Sequence, residues 1–151
     1  MVALDEVSAI DAFSRLPWHD SELLGCCVST SGTVKPIVSL EVDFGTVAAG
    51  PGHVVLNFEE PRGICASIDL LAKRLCSNHI WTGYAKRAVG SGHPFVKRIE
   101  ERFDLDPSET IVGLLLFVVD LISPAGDVSI LAKSFSISKG QGRESEQDQS
   151  R

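Results

Sequence analysis

Between Ile111 and Val119 the chain runs for nine residues without a charge or a strongly polar side chain, broken only by Gly113 and closed by Asp120. This run is about half of the ~20 residues a helix needs to cross a bilayer. A strand with one wet face alternates apolar and polar residues, and this run does not. It therefore predicts a central strand covered on both faces. Whatever the rest of the chain does, it must supply a layer on each side of that strand.

The flanking sequence supplies the pairing. Thr110 to Ile122 and Val128 to Ser138 read as a hairpin joined by the turn residues Ser123-Pro124-Ala125-Gly126-Asp127. Lys133, between Leu131 and Phe135, conflicts with a simple two-faced strand there. Two earlier segments alternate cleanly. In 37–44, Val38, Leu40, Val42 and Phe44 share one face, with Ser39, Glu41 and Asp43 on the other. In 53–59, Val54, Leu56 and Phe58 form the apolar face. Shorter apolar segments at 22–30, 64–68 and 80–89 read as further strands, the last from Trp81, Thr82 and Tyr84.

Helices are expected in three places. Residues 4–16 place Leu4, Val7, Ile10 and Phe13 on one stripe, and Pro17 ends the element. Residues 69–77 read as a short helix begun by Asp69. Pro94 opens another, with Phe95, Ile99 and Phe103 four apart. Strands in hairpin order with few helices predict an α+β fold. The expected form is a single curved, mostly antiparallel sheet, with the N-terminal helix and one or two further helices packed on one face. A length of 151 residues, 44% hydrophobic and 23% charged, fits one domain with a real core. Residues 1–138 are expected to form that domain. From Lys139 onward no apolar side chain offers an anchor, which predicts a disordered polar tail over 139–151.

The net charge of -6 is unevenly spread. Residues 1–61 carry two bases against nine acids, whereas 62–102 carry eight bases against three acids. The basic pairs Lys73-Arg74, Lys86-Arg87 and Lys97-Arg98 offer a patch to an acidic partner, or simply solvated element faces. The acidic overall balance argues against nucleic acid. Asp5 and Glu6 stand where a secretory leader carries bases, and no membrane span is visible, so a cytoplasmic location is expected. Cys26, Cys27, Cys65 and Cys76 are then expected to be buried free thiols.

No constellation amounts to a catalytic kit. His19-Asp20-Ser21 has the residue types of a hydrolytic triad, but consecutive residues seldom converge on one point, and no Gly-x-Ser-x-Gly elbow is present. The plainer reading is a turn closed by Asp20 or Ser21. Cys76-Ser77-Asn78-His79 gives one weak ligand pair where a structural zinc site needs two. Gly90-Ser91-Gly92-His93-Pro94 leads into a helix, but proline removes a donor an anion would need. No catalytic residue, metal or cofactor is expected.

The stretch Leu16-Pro17-Trp18-His19-Asp20-Ser21-Glu22-Leu23 resembles a motif of small, little-characterised bacterial proteins. Those carry an aromatic-His-Asp-small-x-aliphatic signature at the opening of the first strand. Some of them resemble immunity proteins that neutralise toxins in competition between bacteria. The resemblance spans about eight residues and implies a non-enzymatic domain that binds another protein. It assigns no catalytic role to His19 or Asp20. The expected binding residues are Trp18, His19, Asp20, Glu22, Glu41 and Asp43, the acids suiting a basic toxin. Two other functions stay open, a small enzyme or ligand-binding domain with a pocket near His19, Asp20 and His53, and a structural subunit of a homodimer that buries the 111–119 strand.

Overall fold

A computed structural model describes residues 5–19, 21–30, 35–45, 52–68, 79–103, 111–122 and 126–140. Its elements, in chain order, are α1 (Glu6–Ser14), β1 (Glu22–Ser29), β2 (Ile37–Asp43), β3 (His53–Glu59), β4 (Gly63–Ile68), β5 (Ile80–Arg87), α2 (Pro94–Phe103), β6 (Leu115–Leu121), β7 (Gly126–Ala132) and β8 (Ser134–Lys139). The class is α+β. The expected helix at 69–77 and most of the expected tail lie outside the described residues.

The strands form two antiparallel four-stranded sheets, ordered β1-β2-β3-β8 and β4-β7-β6-β5. The expected single sheet is thus divided, and the division sits at one corner. β3 pairs with β8, and their chain continuations β4 and β7 pair with each other. Glu59 faces Ser134 in the first sheet and Gly63 faces Leu131 in the second. Two long strands therefore run through both sheets and bend together at Glu60-Pro61-Arg62 and Lys133. Two backbone bonds bracket the bend, Lys133 N to Glu59 O at 2.8 Å and Arg62 N to Leu131 O at 2.8 Å. Strands that switch sheets through a bend or bulge are the usual way to build such a corner. Glu60 takes a positive φ of 47° at the bend. The Lys133 conflict is resolved here. Leu131 packs on the outside of the second sheet, Phe135 packs in the core between the sheets, and exposed Lys133 is the residue across which the facing changes.

The main core fills the space between the sheets. Val38, Leu40, Val42, Leu56 and Phe58 come from one sheet, and Leu115, Phe117, Val119 and Ile130 from the other. Phe13 of α1 sits at its centre, with ring centroids 4.8 Å from Trp18, 4.9 Å from Phe117 and 5.2 Å from Phe135. The helix begins at Asp5, whose carboxylate accepts from the Ser8 amide at 2.7 Å and is held below its usual range by that bond. The buried residues of α1 are Ala9 and Phe13, with Ile10 half-buried against the same core. Of the expected stripe only Val7, 67% exposed, turns away, and Leu4 lies outside the described residues. Small Ala9 leaves room for Phe13 to reach the centre.

A second core lies on the far face of the second sheet. Phe95, Val96 and Ile99 of α2 pack there with Leu116, Val118 and Leu131. The two helices therefore lie on opposite faces of that sheet, not on one face as expected. β6 is covered on both sides within one chain and needs no second subunit to bury it, but only the second half of the apolar run enters it. Ile111 to Gly113 form a turn, closed by Leu114 N donating to Ile111 O at 3.0 Å and passing through Gly113 at a φ of 80°, and Val112 is exposed. β8 runs through Lys139, one residue into the expected tail.

Candidate functional site

The Trp18 segment is a tight turn between α1 and β1. Trp18 is 3% exposed and its indole Nε1 donates to Phe13 O at 2.7 Å. Buried Ser21 returns its hydroxyl to Trp18 O at 2.5 Å, and Ser21 O accepts from Ile80 N at 2.8 Å. The turn thereby ties β1 to β5, where Glu22 and His79 form a lone antiparallel bridge. The Trp18 ring lies flat on the β5 backbone at Gly83, where an added Cβ would fall 2.5 Å from the ring. These roles are architectural. His19 points the other way. It is exposed and meets exposed Trp81 edge-on, with ring centroids 5.2 Å apart. Asp20 lies outside the described residues.

Register gathers the three acids. Glu22 faces Asp43, Gly25 faces Glu41, and Asp43 faces His53 across β1, β2 and β3. All alternate with core residues, so they line the outer face of the first sheet. Glu41 and His53 are diagonal neighbours on adjacent strands, within reach of each other's side chains. His53 Nε2 lies 2.5 Å from Glu41 Oε1. The imidazole is also pressed on Gly140, where a Cβ would lie 2.5 Å from the ring. Asp43 turns toward its own loop and accepts from Gly45 N at 2.8 Å. The starts of β1, β3 and β5 and the end of β2 meet at this end of the molecule. The Trp81–His19 pair lies at this same end, with Trp81 two residues beyond the Glu22–His79 bridge.

Sequence marks His53 only as a neighbour of a pocket, and Trp81 as a strand former that could stack on a base were nucleic acid the partner. The signal for His53 is its phase. It shares the outward parity of Val55 and Asn57, opposite to Val54 and Leu56. No sequence signal separates exposed Trp81, 58% accessible, from buried Trp18.

Other expectations fall elsewhere. Cys26 and Cys27 are exposed and Cys65 half-buried, all as free thiols, because β1 is an edge strand and not a buried one. The Cys26 thiol is pushed up, first by partial burial and then by Cys27. Cys76 lies outside the described residues. The described basic pairs are spread out. Arg87 reaches Glu6 at 3.3 Å, Lys86 sits over the Tyr84 ring at 5.7 Å, and Arg98 donates to Cys65 Sγ at 3.2 Å. His93 caps α2, its Nδ1 accepting from Phe95 N at 3.1 Å. Among the described residues no three His, Cys, Asp or Glu side chains gather closely enough to hold a metal ion, and no helix is long and apolar enough to cross a membrane. A cleft of about 520 Å³ opens beside the corner, lined by Lys35, Ile37, Phe58, Glu60 and Arg62 among others. It lies at the opposite end of β2 and β3 from the acidic row. Comparison with family models, curated proteins and solved structures returns no match.

Proposed function

We propose that this chain is a non-enzymatic protein-binding domain that presents the acidic face of its first sheet to a basic partner, in the manner of an immunity protein against a toxin in the cytoplasm. The observation that carries this reading is the convergence of Glu22, Glu41 and Asp43 on the outer face of the first sheet, which no described helix covers, with exposed Trp81 at the same end of the molecule. Complementary charge speeds encounter and sets orientation. A solvent-exposed tryptophan of this size is the residue type that most often anchors an interface once buried. His53 restrains the Glu41 carboxylate, so less freedom is lost when a partner's lysine or arginine meets it.

The test is affinity capture from the encoding organism with wild type, with the triple variant Glu22→Gln/Glu41→Gln/Asp43→Asn, and with Trp81→Ala. These conservative changes leave the Gly45 amide its acceptor. A basic protein should be enriched on wild type, lose binding as salt rises, and associate at least about tenfold more slowly with the triple variant. Co-expression of that protein with wild type, and not with the triple variant, should restore growth if it is toxic. Equal capture by wild type and the triple variant would overturn the reading.

A further inference from the structure

The outer face of the second sheet changes character along its strands. Near the corner, Leu116 and Leu131 pack with Phe95 and Ile99 of α2. Two residues further along, Val118 faces Ser129, and two further again Asp120 faces Asp127. All share one parity, so their side chains leave the sheet on the same side. The outer strands extend these rows. Tyr84 flanks Val118, Thr82 flanks Asp120, and Ser67 flanks Asp127. Oxygen-bearing side chains therefore gather at the border of the second core. Asp120 and Asp127 sit directly opposite each other, where Cβ atoms lie about 5 Å apart. Among the described residues neither carboxylate has a hydrogen-bond or ion-pair partner. Nearby cations are engaged elsewhere. Lys86 reaches Ser91 O at 3.5 Å and Arg98 donates to Cys65 Sγ at 3.2 Å, while His93 acts on Asp120 by charge alone. Ser129 is 1% exposed, and its Oγ is buried with no hydrogen-bond partner among the described residues. Buried hydroxyls are ordinarily paired. This one is the diagonal neighbour of Asp120 and lies two residues from Asp127 on the same face.

We infer that Asp120, Asp127 and Ser129 form a binding site for a hard divalent cation, calcium or magnesium, with Thr82 and Tyr84 at its rim and water completing the shell. The donors are all oxygen, which is the set these ions take. Softer metals favour nitrogen or sulfur, and the nearest sulfur, on Cys65, already accepts from Arg98. The site rests on two acids and neighbouring hydroxyls rather than on three acids, so its affinity belongs to the weak end of the range for such ions. A cation between the carboxylates cancels their repulsion and gives Ser129 Oγ a partner for its lone pair. Burial and that repulsion hold the Asp120 carboxyl above its ordinary 3.8, and burial and the same two carboxylates hold the Tyr84 phenol above its ordinary 10.0. Both effects mark negative charge that no described side chain offsets by contact.

Calorimetric titration of the chelator-treated full chain with calcium chloride and, separately, magnesium chloride should show one saturable site for at least one ion, with a Kd below about 1 mM. Asp120→Asn and Asp127→Asn should each weaken it at least about tenfold, and Ser129→Ala by a smaller factor. Asparagine keeps the shape of aspartate, so both variants should fold, with an unchanged circular dichroism spectrum as the check. In chelator, Asp120→Asn should melt no lower than wild type. Saturating cation should then raise the melting temperature of wild type and leave that of the variant in place. The amides whose NMR signals shift on titration should be those of residues 82–84, 118–120 and 127–129. Absence of saturable binding by either ion up to about 10 mM overturns the inference. So does binding that survives both aspartate variants. Shifts centred on Glu22, Glu41 and Asp43 overturn it too, because they would mark diffuse attraction to the other sheet. The triple variant of the acidic face keeps Asp120 and Asp127 and should bind the cation as wild type does, so this result is independent of the partner-capture experiment.

Discussion

The outer faces of the two sheets have opposite fates. On the first, Glu41, Asp43, His53 and Asn57 are half-buried polar side chains, and every second residue of β2 and β3 is polar or partly exposed. On the second, Leu116, Val118 and Leu131 are sealed beneath α2. Both sheets share the same inner core and the same two long strands, so backbone geometry does not set the difference. The connections between strands set it. The connection between β5 and β6 carries a helix with Phe95, Val96 and Ile99 on one side, whereas among the described residues no helix stands between β1, β2 and β3. Among the described residues, the sheet face left polar is the one on which no helix packs.

That contrast can be broken from the inside first. Phe13→Ala should cost the most, about 3–5 kcal/mol in urea unfolding, because Phe13 bridges both sheets at the centre of the shared core. A loss below about 1 kcal/mol would mean that the sheets do not depend on a common centre. Gly83→Ala is next, at roughly 1–3 kcal/mol, since the new methyl must displace the buried Trp18 ring that locks α1 to β5. The smallest effect sharpens the comparison at the margin of the dry face. Asp120 and Asp127 sit directly opposite each other on β6 and β7. Burial, then Asp127, raises the Asp120 carboxyl above its ordinary 3.8, while His93 works the other way. The same two carboxylates, after burial, push the Tyr84 phenol up. With its folded value raised, Asp120 favours the native state only while protonated, and that contribution is lost as pH rises through the raised value. Asp120→Asn should therefore stabilise by a few tenths of a kcal/mol at neutral pH, the scale of an opposed like-charge pair. The gain should vanish below the ordinary carboxylate value. A variant whose gain persists in acid would show that charge is not its source.

Much of this arrangement is readable in the chain. The period of two in 37–44 and 53–59 locates β2 and β3 and places Glu41 and Asp43 on the wet side. The part of the apolar run that enters the strand, Leu115 to Val119, requires a layer on each side of β6, while Gly113 marks the turn before it. The misplaced Lys133 is the trace of the corner, because a strand that changes sheets also changes which parity faces inward. Periodicity marks a face as dry but does not say what dries it. For that reason β1 reads as buried although it is an edge, and α2 reads as lying on the same side as α1. The meeting of His53 with Glu41 depends on the register between two strands separated by a loop. Alternation within either strand leaves that register open.

The bent ribbon has a consequence in time. Its pairings join residues 54–68 to 126–139, so the contacts that unite the sheets are far apart in sequence. Folds dominated by such contacts form slowly. During synthesis β1, β2 and β3 emerge first and can pair as a meander, yet Leu40, Val42 and Leu56 stay bare until the last strands are released. The nascent chain therefore carries a partly unsealed apolar sheet until β6 and β7 supply the facing layer, and β8 then completes the first sheet.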